Sequence, residues 1–256
     1  MGSDTGFKIL FSTNLASEKV KINYRRINRL AECSEINERI KREWPKLLLE
    51  SKKAGRKCFD SPGYSVDRIH FDNIQATLFL SDTTYCQYVT TFKNHELLRS
   101  IPIQVQPKLL SVFGVVMSKN GYLIFGLGSP AGRGGEYVCA VGGTVQSTMP
   151  PVTSTYLFTE FQREITEETG IPRADISQIC LRGAVIKENT AETPRLIFSA
   201  VTNLNIREIE DYFPKSDKEF QRLIFVKNNL KEIENIANNP DSNWTIEAIR
   251  RVCFKT

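Results

Sequence analysis

Arg163-Glu164-Ile165-Thr166-Glu167-Glu168-Thr169-Gly170-Ile171 decides how this chain is read. With Glu160 added, the acids fall at i, i+4, i+7 and i+8, positions that share one side of an α-helix. Phe158, Phe161 and Ile165 fall at i, i+3 and i+7 and form an apolar stripe on the other side. The spacing therefore predicts an amphipathic helix over about Thr155 to Thr169. Gly170 can take the left-handed cap and Pro172 cannot continue the helix, so its end is well marked. Four aligned carboxylates repel one another. A divalent cation with oxygen ligands removes that conflict, and Mg²⁺ commonly bridges carboxylates to substrate phosphates. An acidic surface face with bases such as Arg163 nearby is the structural alternative.

Upstream of this helix the pattern is β-rich. Leu109 to Met117 reads as a strand, Asn120-Gly121 as a hairpin signal, and Tyr122 to Leu127 as the return strand. Ser129 to Gly135 is a glycine-rich loop. Tyr137 to Val141 reads as a strand ending at Gly142-Gly143, and residues 144–154 as a loop. Downstream, strands are expected at Ile179 to Lys187, Arg195 to Thr202 and Arg222 to Val226, and helices at Leu230 to Ala237 and Thr245 to Phe254. Earlier in the chain, Lys8 to Phe11, Arg68 to Phe71 and Ala76 to Leu80 read as strands and Ser34 to Ser51 as a helix. Ser61-Pro62-Gly63 reads as a turn, and Asp82 to Phe92 is ambiguous between helix and other forms. The pattern changes near Pro107. Strands and single helices without regular βαβ alternation argue for an α+β mixed-sheet sandwich.

The 256 residues suffice for one large domain, or for one domain with a substantial extension. No stretch reaches the roughly 18 to 20 apolar residues of a membrane span. Met1 to Gly6 lacks the cationic patch and apolar run of a secretory signal. The six cysteines never fall at C-x-x-C spacing, and several lie in apolar runs. They read as structural thiols in a reducing, cytoplasmic compartment. The net charge of +5 comes largely from the first quarter, including Tyr24-Arg25-Arg26, Lys41-Arg42 and residues 52–57. No aromatic residues interleave with these bases as in a stacking platform, so a solvated face is favoured over a nucleic-acid site. His70 and His95 are isolated and read as surface or packing residues. Tyr137 and Phe125 could stack a base, but their strand patterns point to core packing.

Arg163 to Ile171 also resembles the second half of the Nudix box, G-x5-E-x7-R-E-U-x-E-E-x-G-U with U a bulky aliphatic residue, and matches it at every specified position. The first half departs. Gly143 lies six residues further from Arg163 than the box allows, and the family's earlier Glu, which helps to hold the Arg, falls at Thr155. Glu160 could substitute for it. The resemblance implies an α/β/α sandwich over residues 107–256, with residues 1–106 as an N-terminal α+β extension. It implies Glu164, Glu167 and Glu168 as metal ligands, Arg163 as the residue orienting Glu164, and a carbonyl of Gly142 or Gly143 as a further ligand. The metal would be Mg²⁺ or Mn²⁺; zinc is not expected of hard oxygen ligands. Such families often take a general base from a loop outside the box. Glu219 is preferred here over Glu192. Arg133, in a glycine-rich loop, could reach a substrate phosphate.

A narrower similarity links Trp44, Phe59-Asp60-Ser61-Pro62, Asn189-Thr190 and an acid before an I-F-V strand to the eukaryotic UDP-glucose diphosphatase branch. It implies that residues 7–106 help to bind a nucleoside. The expected function is metal-dependent hydrolysis of an acid anhydride, the diphosphate of a nucleoside diphosphate linked to another moiety. UDP-sugars and ADP-ribose are among the candidates. Against it stands a non-catalytic module that binds a nucleotide or a protein. An RNA-decapping role is the third option. Oligomeric state is not legible in the sequence.

Overall fold

In a computed structural model, residues 6–53, 58–129, 135–147, 152–187, 193–213 and 220–254 are described. Eight strands form the larger sheet: β1 (Phe7–Leu15), β5 (Ser111–Met117), β6 (Tyr122–Gly128), β7 (Tyr137–Cys139), β8 (Val141–Thr144), β9 (Ile176–Lys187), β10 (Pro194–Thr202) and β11 (Phe220–Lys227). The order is β1-β9-β10-β5-β6-β11, with β7 paired to β6 and β8 to β5. β10 runs parallel to β5 and antiparallel to β9, so the sheet is mixed. A second sheet of β2 (Val20–Tyr24), β4 (Ala76–Thr84) and β3 (Pro62–Phe71) is also mixed.

β5 shows how the layers form. Its five central residues are all buried, as expected of a strand covered on both faces. Val112 and Val116 pack with Phe158, Phe161 and Ile165 of α4 (Ser154–Thr169), and with Val20, Tyr64 and Leu78 of the smaller sheet. Phe113 and Val115 pack with Ile233 of α6 (Leu230–Ala237) and with Ile246, Ile249 and Val252 of α7 (Trp244–Cys253). Alternation along one strand thus builds an α/β/α sandwich. A third cluster joins Ile40 of α1 (Ser34–Lys53), Cys86 of α2 (Tyr85–Lys93) and Leu97 of α3 (His95–Ser100).

β1, from the first hundred residues, pairs with β9 inside the larger sheet. Several expectations need correction. Pro62-Gly63 begins a strand instead of making a turn. Pro is tolerated there because it is the first residue of β3, an edge strand. Gly142 and Gly143 do not end a strand; they lie within β8 and pair with Phe113 and Val112. The ambiguous segment divides at Thr84. The Thr84 side chain accepts from the Gln87 N–H while Gln87 caps in return, which starts α2. β2, α3 and the short α5 (Ile206–Tyr212) are not expected from the sequence pattern, although Asn205 and Glu208 form a legible capping box. No described helix is long and apolar enough to cross a membrane. All six cysteines are free thiols, and burial pushes the Cys86 thiol up to about 11 and that of Cys253 up to about 12.

Candidate active site on helix α4

The helix carrying the acids is fixed at both ends. The Thr153 hydroxyl accepts from the Tyr156 N–H at 3.1 Å. At the other end Gly170 sits at φ +77°, with its N–H donated to the Thr166 carbonyl. The apolar stripe is buried completely at Phe161 and Ile165, which turns the opposite edge of the helix toward β8.

Glu160, Glu164 and Glu168 all lie on the buried side, at 7, 8 and 5 % exposure, whereas the Glu167 side chain is 42 % exposed. The four acids therefore do not form one solvated face. Glu168 Oε2 accepts a hydrogen bond from the Gly142 N–H at 2.7 Å. The Glu164 carboxylate lies directly against Gly143: a β-carbon there would stand 2.2 Å from Glu164 Oε1. Only glycine allows this approach. The two glycines and the two acids thus meet pairwise across the contact between α4 and β8.

Arg163 stands among these carboxylates. Its guanidinium donates to Glu164, to Glu167 and, at 3.2 to 3.3 Å, to Glu160. Glu160, three residues before the arginine, thus contacts it directly. Burial alone would lower the Arg163 guanidinium, but the hydrogen bond to Glu167 and the charge of Glu164 hold it above its ordinary value. Burial pushes the Glu164 carboxyl up to about 7. Arg163 opposes that shift and the charge of Glu167 adds to it. A carboxyl so placed changes charge near neutral pH, as groups in chemical sites often do.

The repulsion expected of a bare acid stripe is therefore met, in this structure, by a guanidinium. Among the described residues no group of three or more His, Cys, Asp or Glu side chains is arranged to hold a metal ion. The donor chemistry of Glu164 and Glu167, hard carboxylate oxygens, suits a magnesium-like cation. Their geometry suits Arg163. Arg133, Glu192, Asn189, Thr190 and Glu219 lie outside the described residues. Trp44 packs edge-on against Tyr85 with ring centroids 6.4 Å apart, and Phe125 is fully buried. Gly143 and Gly142, candidate ligands by their carbonyls, have roles that spacing alone does not reveal: Gly143 leaves room for the Glu164 carboxylate, and the Gly142 N–H donates to Glu168.

No family model and no curated protein matches the chain. Among solved structures it is similar to DR0079 from Deinococcus radiodurans, at 17% identity and a TM-score of 0.41, over 56% of this chain and 82% of that one. It is also similar to a hydrolase of the NUDIX family from Clostridium perfringens, at 11% identity and a TM-score of 0.35, over 57% and 95%. A third is the M. smegmatis Nudix hydrolase RenU, at 11% identity and a TM-score of 0.33, over 56% and 83%.

Proposed function

We propose that this chain is a Nudix-type pyrophosphohydrolase that cleaves the diphosphate of a nucleoside diphosphate linked to a second moiety. The observation that carries the reading is the meeting of Glu164 and Glu168 with Gly143 and Gly142, with Glu164 held near neutrality by its surroundings. Glu164, Glu167 and Glu168, with a carbonyl of Gly142 or Gly143, would hold Mg²⁺ or Mn²⁺. When bound, the ion supplies charge neutralisation for the diphosphate and acidifies water. Arg163 donates to Glu164 and Glu167 and would position Glu164. Arg133 is assigned to a substrate phosphate and Glu219 to proton abstraction. UDP-sugars and ADP-ribose are among the candidate substrates. The six free thiols suit a reducing, cytoplasmic setting.

A second reading is favoured by one observation. The Arg163 guanidinium pairs with Glu160, Glu164 and Glu167, an arrangement that would also serve as the core of a non-catalytic nucleotide- or protein-binding module. A panel of diphosphate substrates, assayed with Mg²⁺, with Mn²⁺ and with excess chelator, separates the two. The hydrolase reading expects turnover that chelator abolishes and metal restores. Absence of turnover on every substrate favours the module. Full turnover in chelator removes the metal from the proposal.

A further inference from the structure

A cavity of about 340 Å³ lies over the far end of β5, where Val115 and Met117 line it. The acids of α4 meet the sheet near the other end, through the glycines that pair with Val112 and Phe113. From Val112 to Met117 a strand advances about 16 Å. The two places also lie on opposite faces of the sheet: Val112 packs toward α4, whereas Val115 packs toward α7. The cavity is therefore separate from the acids.

Two irregularities of the sheet assemble its wall. Between the pairs Ser12–Gly183 and Leu15–Leu181, β1 carries an extra residue opposite Arg182. Between the pairs Ser199–Cys180 and Val201–Ser177 the extra residue is in β9, where Gln178 stands at φ +48°. A residue other than glycine rarely adopts that backbone, and bulges re-aim side chains beside functional sites. Asn14, Gln178 and Arg182 all line the cavity. Arg182 ties the wall together, its two terminal nitrogens donating to Asn14 Oδ1 and to the Cys253 carbonyl, both at 3.2 Å. Its Nε is buried and has no hydrogen-bond acceptor, which leaves a donor of a charged group unmet.

No described residue of the wall is an acid. Glu18, whose charge reaches Cys180, is not part of it. The two thiols of the wall, Cys180 and Cys253, supply no negative charge either, because burial pushes both up, that of Cys253 to about 12. A guanidinium thus lines a cavity that offers it no counter-charge, beside the apolar Met117, Leu123 and Phe254. The volume falls at the lower end of the range of small-molecule sites, about 300 to 1,000 Å³. We propose that this cavity binds a small organic anion, with its carboxylate or phosphate on Arg182 and its apolar body against Met117, Leu123 and Phe254. The acidic group supplies the acceptor that Nε lacks, in a charge-assisted hydrogen bond. Such a ligand touches β1, β9 and the end of α7 together, so its binding fastens the first strand to the last helix.

The test is binding to the full chain without metal, followed by calorimetry and by melting temperature. Benzoate and phenyl phosphate are the anions, and benzamide is the neutral counterpart of benzoate. Four proteins are compared: the unaltered protein, Arg182→Met, Ser199→Leu and Glu164→Gln. Ser199 lines the cavity, so Ser199→Leu fills it while keeping the guanidinium. At least one anion should bind the unaltered protein about tenfold or more tightly than benzamide, the scale of a charge-assisted hydrogen bond. Whichever anion binds more tightly identifies the acidic group. At about ten times its dissociation constant it should raise the melting temperature by about 3 °C. Arg182→Met and Ser199→Leu should each weaken that binding about tenfold or more, and Glu164→Gln should leave it unchanged. Should Arg182→Met fail to fold, Ser199→Leu carries the test. Benzamide binding as tightly as the anions, an affinity untouched by Ser199→Leu, or no binding of either anion overturns the site. Binding lost in Glu164→Gln but kept in Ser199→Leu places the anion at α4 and overturns it equally.

Discussion

Glu168 on α4 and Gly142 on β8 are joined by a hydrogen bond of 2.7 Å, the backbone N–H of the strand donating to the carboxylate of the helix. The partner of Glu164 across the same contact is Gly143, where a β-carbon would stand 2.2 Å from Glu164 Oε1 unless the carboxylate moved. These two pairings distinguish acids that repulsion alone would treat alike.

Glu167→Gln and Glu168→Gln should therefore differ in stability while agreeing in activity. Repulsion by itself makes both neutral variants at least as stable as the parent. Glu168→Gln, however, loses the charge assistance of its bond to Gly142 and should be destabilised by about 1 kcal/mol. The half-exposed Glu167 lacks that constraint. If the helix is catalytic, each variant should lower kcat by at least about 100-fold. Turnover and urea denaturation of both variants check this. Unchanged turnover in both removes the catalytic role of α4.

Arg163→Met should leave Glu164 buried without its cation. Breaking a buried pair from one side costs about 3 to 5 kcal/mol. Because the Arg163 side chain keeps 24 % of its exposure, a loss of about 2 kcal/mol is expected here. Adding Glu164→Gln to the same protein should recover much of it. Denaturation midpoints of the two single variants and the double variant test the coupling.

The pH dependence follows from Glu164. Its folded carboxyl lies above the ordinary value, at about 7. The stability it contributes is fully present below the unfolded value near 4.5 and is lost as pH rises through about 7. Metal-free protein should thus lose stability relative to Glu164→Gln between about pH 4.5 and pH 7. Melting temperatures of the two proteins across that range should diverge in this direction. Parallel curves would mean that Arg163 keeps Glu164 ionised throughout.

Gly143→Ala and Gly170→Ala should fail in opposite ways. The added methyl at position 143 meets the far end of the Glu164 side chain, which can move, so the protein should fold with a loss of about 1 kcal/mol but turn over at least about tenfold more slowly. At position 170 the backbone has φ +77°, and the methyl meets the Tyr212 carbonyl oxygen at 2.3 Å. That variant should lose about 2 kcal/mol or more and retain turnover in whatever fraction folds.

The sequence made the helix legible because its signals are local. The acids recur at helical spacing, Gly170 and Pro172 stop it, and the apolar stripe faces inward. Asn120-Gly121 likewise marked the hairpin between β5 and β6. What spacing could not show was which residue answers each acid. Gly142 and Gly143 are separated from Glu164 and Glu168 by more than twenty positions, and Arg163 could equally have turned to solvent. Pro62-Gly63 misled because its partner, the end of β4, is set by tertiary pairing and not by the dipeptide. The cavity at Arg182 depends on β1 and α7 meeting beside β9, for which no local pattern exists.

The pairing of β1 with β9 has a consequence for the order in which the molecule is made. Phe7 lies opposite Lys187 and Leu15 opposite Leu181, so β1 has no partner in the larger sheet until β9, far along the chain, has been synthesised. At roughly 5 to 20 residues per second, that interval lasts on the order of 10 to 30 seconds. During it Phe7 and Phe11, both buried in the finished protein, wait without their partners in β9. Ser12 donates to the Val252 carbonyl, 240 positions further along, so a segment made early is closed into place by one made much later.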